Sequence, residues 1–101
     1  MKNQLLVVLA LLAVGCGKEA LTPAAQNVVV QKSDAPDGCT EVGFVTEFGS
    51  NFNGKEMHEV ARTKLRNRAA EKGGNYLRLE SVIEDGNGVK YTGTVYDCRA
   101  K

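Results

Sequence analysis

Asn75-Tyr76-Leu77-Arg78-Leu79-Glu80-Ser81-Val82-Ile83-Glu84-Asp85-Gly86-Asn87-Gly88-Val89-Lys90-Tyr91-Thr92-Gly93-Thr94-Val95-Tyr96-Asp97-Cys98 alternates side chains into and out of a turn holding both hairpin dipeptides, Asp-Gly and Asn-Gly. Leu77, Leu79 and Ile83 face one way, and Tyr76, Arg78, Glu80 and Val82 face the other. Pairing about either dipeptide sets Leu77, Leu79 and Ile83 beside Thr92, Thr94, Tyr96 and Cys98. The opposite face then collects Tyr76, Val82, Val89, Tyr91 and Val95. The hairpin has one side to bury, and the residues before it say what covers that side.

From Lys55 to Lys72, Met57, Ala61, Leu65 and Ala69 recur every four residues with Val60 alongside, and Gly73-Gly74 closes the run. This spacing predicts a helix with a thin, alanine-rich stripe that must lie close against a sheet, ended by a left-handed glycine cap. Asn53, three residues before Glu56, is placed as its N-cap. Upstream, Cys39 to Phe48 sets Val42, Phe44 and Phe48 against Glu41, Gly43 and Glu47, with Val45 out of phase, as in a half-buried strand. Asn27-Val28-Val29-Val30-Gln31 reads as a short strand ended by the turn formers of Ser33 to Gly38. The expected architecture is α+β: a small, mainly antiparallel sheet in the order β-β-α-β-β along the chain, with one helix packed on one face.

The chain begins differently. Lys2 precedes Leu5 to Val14, an uncharged apolar run of ten residues, which is too short for a spanning helix of about 20 and right for a signal-peptide core. It leads into Leu12-Ala13-Val14-Gly15-Cys16, which resembles the lipobox of bacterial lipoproteins. In that class the cysteine thiol takes a diacylglycerol, and a dedicated peptidase cuts before it. The resemblance departs at Ala13, where Leu is usual, and Ala13 with Gly15 also suits ordinary signal cleavage. The reading adopted is residues 1–15 as a removed signal peptide, 16–26 as a lipidated Cys16 with a flexible tether, and 27–101 as a small periplasmic domain. By the same resemblance, Gly17 in place of aspartate favours the outer membrane. Ten residues from Gly17 to Gln26, interrupted by Pro23, extend at most about 35 Å.

Removing fifteen of 101 residues leaves 86, one small domain, with twelve basic and twelve acidic side chains once Lys2 is gone. Neutrality gives no case for nucleic acid. Three cysteines are odd in an exported chain, and lipidation of Cys16 leaves Cys39 and Cys98 to pair. A disulfide between them encloses 60 residues counting both ends, worth about 4 kcal/mol on the chain-entropy estimate. The competing readings are a thiolate metal site, for which His58 is the only histidine, and free or intermolecular thiols.

Cys39-Thr40-Glu41-Val42-Gly43, Leu65-Arg66-Asn67-Arg68-Ala69-Ala70, Gly73-Gly74-Asn75-Tyr76 and Gly93-Thr94-Val95-Tyr96-Asp97-Cys98 together resemble the lipoprotein family labelled domain of unknown function 4156. More distantly, the pattern is similar to the Rcs stress-sensor lipoproteins of enterobacteria. Those carry four domain cysteines and a longer, proline-rich tether, so no sensor residue transfers to this chain. The family label implies no activity.

His58 near the helix start has no nucleophile or carboxylate placed beside it by spacing, and no acid/base pair is indicated. Gly86 and Gly88 belong to a turn and do not sit between strand and helix as a phosphate loop does. Neither catalysis nor a cofactor is expected. Two surfaces are candidates for a partner: the basic helix side with Lys64, Arg68 and Lys72, flanked by Arg62 and Arg66, and the sheet face with Tyr76, Val82, Val89, Tyr91 and Val95. If the first strand or the tether covers that face, its residues are core. The expected role is a non-enzymatic, membrane-anchored envelope lipoprotein, an interaction or stress-monitoring module; the alternative is a small-ligand or metal-binding periplasmic module.

Overall fold

The computed structural model describes residues 19–50 and 54–99. The strands are β1 (Val29–Gln31), β2 (Thr40–Gly49), β3 (Tyr76–Asp85) and β4 (Gly88–Asp97), with one long helix, α1 (Gly54–Glu71), and a 3-10 turn at Ala25–Asn27. The sheet order is β1-β3-β4-β2. Cys16, residues 1–15 and the N-cap position Asn53 lie outside the described residues.

The α1 stripe packs as its spacing predicts: Met57, Ala61, Leu65 and Ala69 are buried with Val45, Leu77, Val89, Tyr91 and Val95. Alanines let the helix approach closely, and the sheet answers with small residues beneath it. A Cβ at Gly49 would collide with the Met57 carbonyl oxygen. The helix ends at Gly73, whose φ of 84° lies in the left-handed region that glycine enters without strain. Gly74 N–H donates to Ala69 O at 3.0 Å and Gly73 N–H to Ala70 O at 2.9 Å, the paired bonds of a Schellman cap.

The sheet is mixed. β2 and β3 each run antiparallel to β4, but β1 runs parallel to β3, with Val29 opposite Tyr76. Val29 N–H donates to Asn75 O at 3.0 Å, so β1 starts where β3 starts and must share its direction. After three residues the chain turns toward β2 on the far edge, and its connection touches the face away from α1. There Tyr76 Oη donates to Ser33 O at 2.8 Å, and Arg78 meets Asp34 at 2.8 Å. Cys39 and Cys98 form a disulfide with their Cα atoms 4.2 Å apart. It joins the start of β2 to the end of β4.

The hairpin turns on Gly86-Asn87, with Asp85 opposite Gly88, but its register slips by one between Leu79 and Ser81. An extra residue in one strand reverses its faces. Ile83, on the turn side of the slip, keeps the expected company of Thr92, Thr94 and Tyr96. Leu77 and Leu79 do not: Leu77 pairs with Val95 and Leu79 with Gly93, and both face the helix. β2 also departs from expectation, burying Val45 and sending Phe44 and Phe48 outward. With α1 so close, its inner face has no room for aromatics.

The flexible tether expected through Gln26 is a second correction. From Glu19 onward the segment is docked on α1, held by Asn67, which is 1% exposed. Asn67 Oδ1 accepts from Thr22 N–H at 2.9 Å, while its Nδ2 donates to Glu19 Oε2 at 2.6 Å and to Ala20 O at 2.8 Å. Ala25 and Val28 are buried at the end of this segment.

Candidate functional site

The expected apolar patch of Tyr76, Val82, Val89, Tyr91 and Val95 is not one surface. Val89, Tyr91 and Val95 face α1 and are core; Val82, opposite Tyr91, lies on the same side of the sheet but is exposed. Tyr76 alone is on the outer face, covered by Ser33 and Asp34 and set edge-on to Tyr96 at 6.3 Å between centroids. The helix covers the face that alternation had assigned to solvent.

The outer face instead displays residues that alternation had assigned to the interior. Phe44, Phe48 and Ile83 are 66%, 58% and 53% exposed. Phe48 and Ile83 flank Lys90 on the same row of the sheet, and Phe44 stands beside Thr94 two rows away. Phe48 and Ile83 also border a shallow hollow of about 350 Å³ at the hairpin end, shared with Asn87 and Lys90. Burying large apolar side chains of this kind is worth about 1.5–3 kcal/mol each, so their exposure marks a surface available to a partner.

The basic side of α1 divides in two. Arg68 is already neutralised, with Glu19 at 2.8 Å, Glu71 at 2.9 Å and Glu47 at 3.4 Å. Burial pushes the Glu19 carboxyl up, but hydrogen bonds from Asn67 and Arg68 outweigh it and hold the group below its usual range; the Glu19 bond in turn raises Arg68. Lys64 Nζ donates to Phe48 O at 3.3 Å, and the Lys72 stem lies against Gly43. Lys64 and Arg68 are thus committed within the domain, tying α1 to β2 and to the docked segment. They do not form the free surface expected of them.

Arg62 and Arg66 look the other way, into a groove of about 540 Å³ between α1 and β1. Val28, Val30 and Leu79 line it, and Lys32 joins the two arginines at its rim. Arg66 Nη2 donates to Gln26 O at 3.2 Å, while its Nε is buried without a hydrogen-bond partner. Arg62 lies over the Tyr91 ring, 5.9 Å from its centroid. The spacing of basic residues on α1 does put Arg62 and Arg66 on one side as a pair; the apolar wall opposite them comes from Val28, from Val30 of β1 and from Leu79 of β3, and could not be placed.

His58 does have a carboxylate and a hydroxyl partner, both from the hairpin. Its Nε2 is 3.0 Å from Glu84 Oε1 and its Nδ1 2.6 Å from Tyr91 Oη. A Glu84 carboxylate can only accept, so Nε2 donates to it, and the Tyr91 hydroxyl can serve Nδ1 as donor or acceptor. Tyr91 is 2% exposed, so this chain of three groups runs from the core to the surface and pins the first turns of α1 to the hairpin. Among the described residues no three His, Cys, Asp or Glu side chains gather as metal ligands, and no helix is long and apolar enough to cross a membrane.

No curated protein matches this chain. Among solved structures it is similar to a crystal structure of a protein of unknown function from Pediococcus pentosaceus ATCC 25745, of the DUF74 family. Identity is 19%, covering 69% of this chain and 96% of the other, at a TM-score of 0.56. That likeness is one of fold. A family model described as "Domain of unknown function (DUF4156)" matches residues 19–98, which begin at the docked Glu19, take in the Asn67 clasp and end at the second disulfide cysteine. On a match of that extent, the chain belongs to the DUF4156 family.

Proposed function

We propose that this chain is a bacterial lipoprotein anchored through Cys16 in the cell envelope, on the periplasmic side of the outer membrane, and that it acts without catalysis as an interaction or stress-monitoring module. The reading is supported most by the exposed Phe44, Phe48 and Ile83, three large apolar side chains kept in water on a sheet face whose opposite side already carries the helix. Aromatic anchors of this kind dominate protein interfaces. The anchor itself rests on the leader and the Leu12-to-Cys16 pattern.

A photo-cross-linking residue placed at Phe44 or Phe48 in intact cells tests this. Adducts to one envelope protein from those positions, absent when the probe replaces exposed Glu59 on α1, are expected, and Phe44→Ser with Phe48→Ser should abolish them while leaving the helical signal and the disulfide unchanged. Equal labelling from Glu59, or no adduct from either phenylalanine, refutes the docking face. Mass analysis of the N-terminal peptide tests the anchor separately, expecting acylated Cys16; an unmodified Cys16 thiol refutes it.

The alternative of a small-ligand module is favoured by one observation, the cationic groove beside β1.

A further inference from the structure

We propose that the groove between α1 and β1 binds the headgroup of an anionic glycerophospholipid, with the phosphate held by Arg62, Arg66 and Lys32 and the start of the acyl chains laid over Val28, Val30 and Leu79. Three cations converge there, and none forms an ion pair with a carboxylate of the described residues. This contrasts with Arg68 one turn away, which has three. Like charges brought together without counter-charge repel, and an anion between them relieves that repulsion. The second, independent observation is Arg66 Nε, a buried donor with no partner. An unmade bond of this kind costs about 1–3 kcal/mol, and a turn of the guanidinium into the groove would let a phosphate oxygen make it.

The apolar half of the groove decides between a free anion and a lipid. Val28 and Val30 alternate with exposed Val29 along the strand, and Leu79 stands beside them. A free phosphate has no use for that wall, whereas the glycerol and first methylenes of a lipid do. Position argues the same way, and this step rests on the proposed anchoring. Only Gly17 and Lys18 separate Cys16 from docked Glu19, a covalent reach of about 10 Å, so a lipid on Cys16 would hold the helix side of the domain at the headgroup layer.

The full chain, purified in a neutral detergent, would be titrated with dihexanoyl phosphatidylglycerol, with dihexanoyl phosphatidylcholine and with inorganic phosphate, following the amide resonances of Val30, Gln31, Thr63 and Arg66. Saturable shifts are expected with phosphatidylglycerol, at least tenfold tighter than with either other probe. Lys32→Gln and Arg62→Gln should each weaken binding about fivefold, as expected for one basic group at an anionic headgroup. Both are exposed and make no hydrogen bond among the described residues, Arg62 only stacking over the Tyr91 ring, so the fold should survive their loss; Arg66→Gln should abolish saturation. Inorganic phosphate binding as tightly as phosphatidylglycerol makes this a free-anion site and overturns the proposal. So do equal affinity for phosphatidylcholine and the absence of saturable shifts. Acylation is read from the N-terminal peptide of the same preparation. An unmodified Cys16 would defeat the anchoring reading whether or not the headgroup binds.

Discussion

Asn67→Ala removes one buried side chain and with it most of the side-chain clasp on residues 19–22, leaving the Arg68–Glu19 ion pair. Three hydrogen bonds go: from Thr22 N–H, to Ala20 O and to the Glu19 carboxylate. The two neutral bonds are worth about 1 kcal/mol each and the charge-assisted one about 2 kcal/mol, which sets an upper bound near 4 kcal/mol. The measured loss is smaller, because the segment can lift away and rehydrate its polar groups, giving up the burial of Ala25 instead. We expect a loss of about 2–3 kcal/mol by denaturant unfolding, against a total of about 5–15 for a domain. Amide exchange should accelerate first at Thr22, Ala25 and Gln26, about thirtyfold for 2 kcal/mol of local opening. Asn67→Asp keeps the shape but turns two donors into acceptors facing Glu19 and Ala20 O, so it should cost more than alanine at neutral pH. Unchanged exchange at Thr22 and Ala25 in Asn67→Ala, with stability within 0.5 kcal/mol or so of the parent, would refute the clasp.

Glu19 carries a pH dependence of known sign: its folded pKa lies below its ordinary value of 4.5, so its contribution is complete above that value and is lost as pH falls through the lower, folded one. Between neutral pH and about 3, protection at Thr22 and Ala25 should therefore fall before that of Leu65 or Val95; synchronous loss would show that the segment is not a separate unit. Gly74→Ala and Gly73→Ala should differ in mechanism. A Cβ at Gly74 collides with Val95 Cγ1 in the core and comes within 3.0 Å of Tyr96 O, whereas nothing lies within 4 Å of one at Gly73. Overpacking costs about 1–3 kcal/mol and the left-handed backbone about 1–2, so Gly74→Ala alone should be partly relieved by Val95→Ala in a double-mutant comparison, and equal relief of both would contradict the assignment.

What could be read from the chain were its local rules. The four-residue period of Met57 to Ala69, the Gly73-Gly74 stop and the Asp85-to-Gly88 turn each act through neighbours in sequence, and each stands as expected. The disulfide was legible through cysteine counting, once the leader was read as an export signal. Faces were harder. A single extra residue near Glu80 reverses Leu77 and Leu79, and nothing in Glu80-Ser81 distinguishes a bulge from two strand residues. Phe44 and Phe48 looked like core because they are apolar, but the close approach of an alanine-rich helix leaves the inner side of β2 to Val45, glycines and a Glu47 that pairs with Arg68. The docked segment has no periodicity because it is held by bonds to side chains distant in sequence, Asn67 above all and Arg66 and Arg68 beside it. One signal was available: Asn67 is a poor helix former in the middle of a helix, on the flank of its buried stripe, and such a residue needs a partner.

Docking of residues 19–28 also bears on which face meets which environment. The segment lies on α1, opposite the sheet face that exposes Phe44, Phe48 and Ile83. On the proposed anchoring, Cys16 therefore draws the helix side and the cationic groove toward the bilayer and turns the phenylalanines away from it. If the tether were free to Gln26, both faces would sample both environments within about 35 Å of the membrane. Asn67→Ala converts the first arrangement into the second without altering either face. Cross-linking from Phe44 in intact cells should then fall, since the face no longer points steadily at its partner, while capture of that partner by the detergent-solubilised chain should be unchanged. If both fall together, Asn67 supports the fold of the docking face itself and the orientation argument fails.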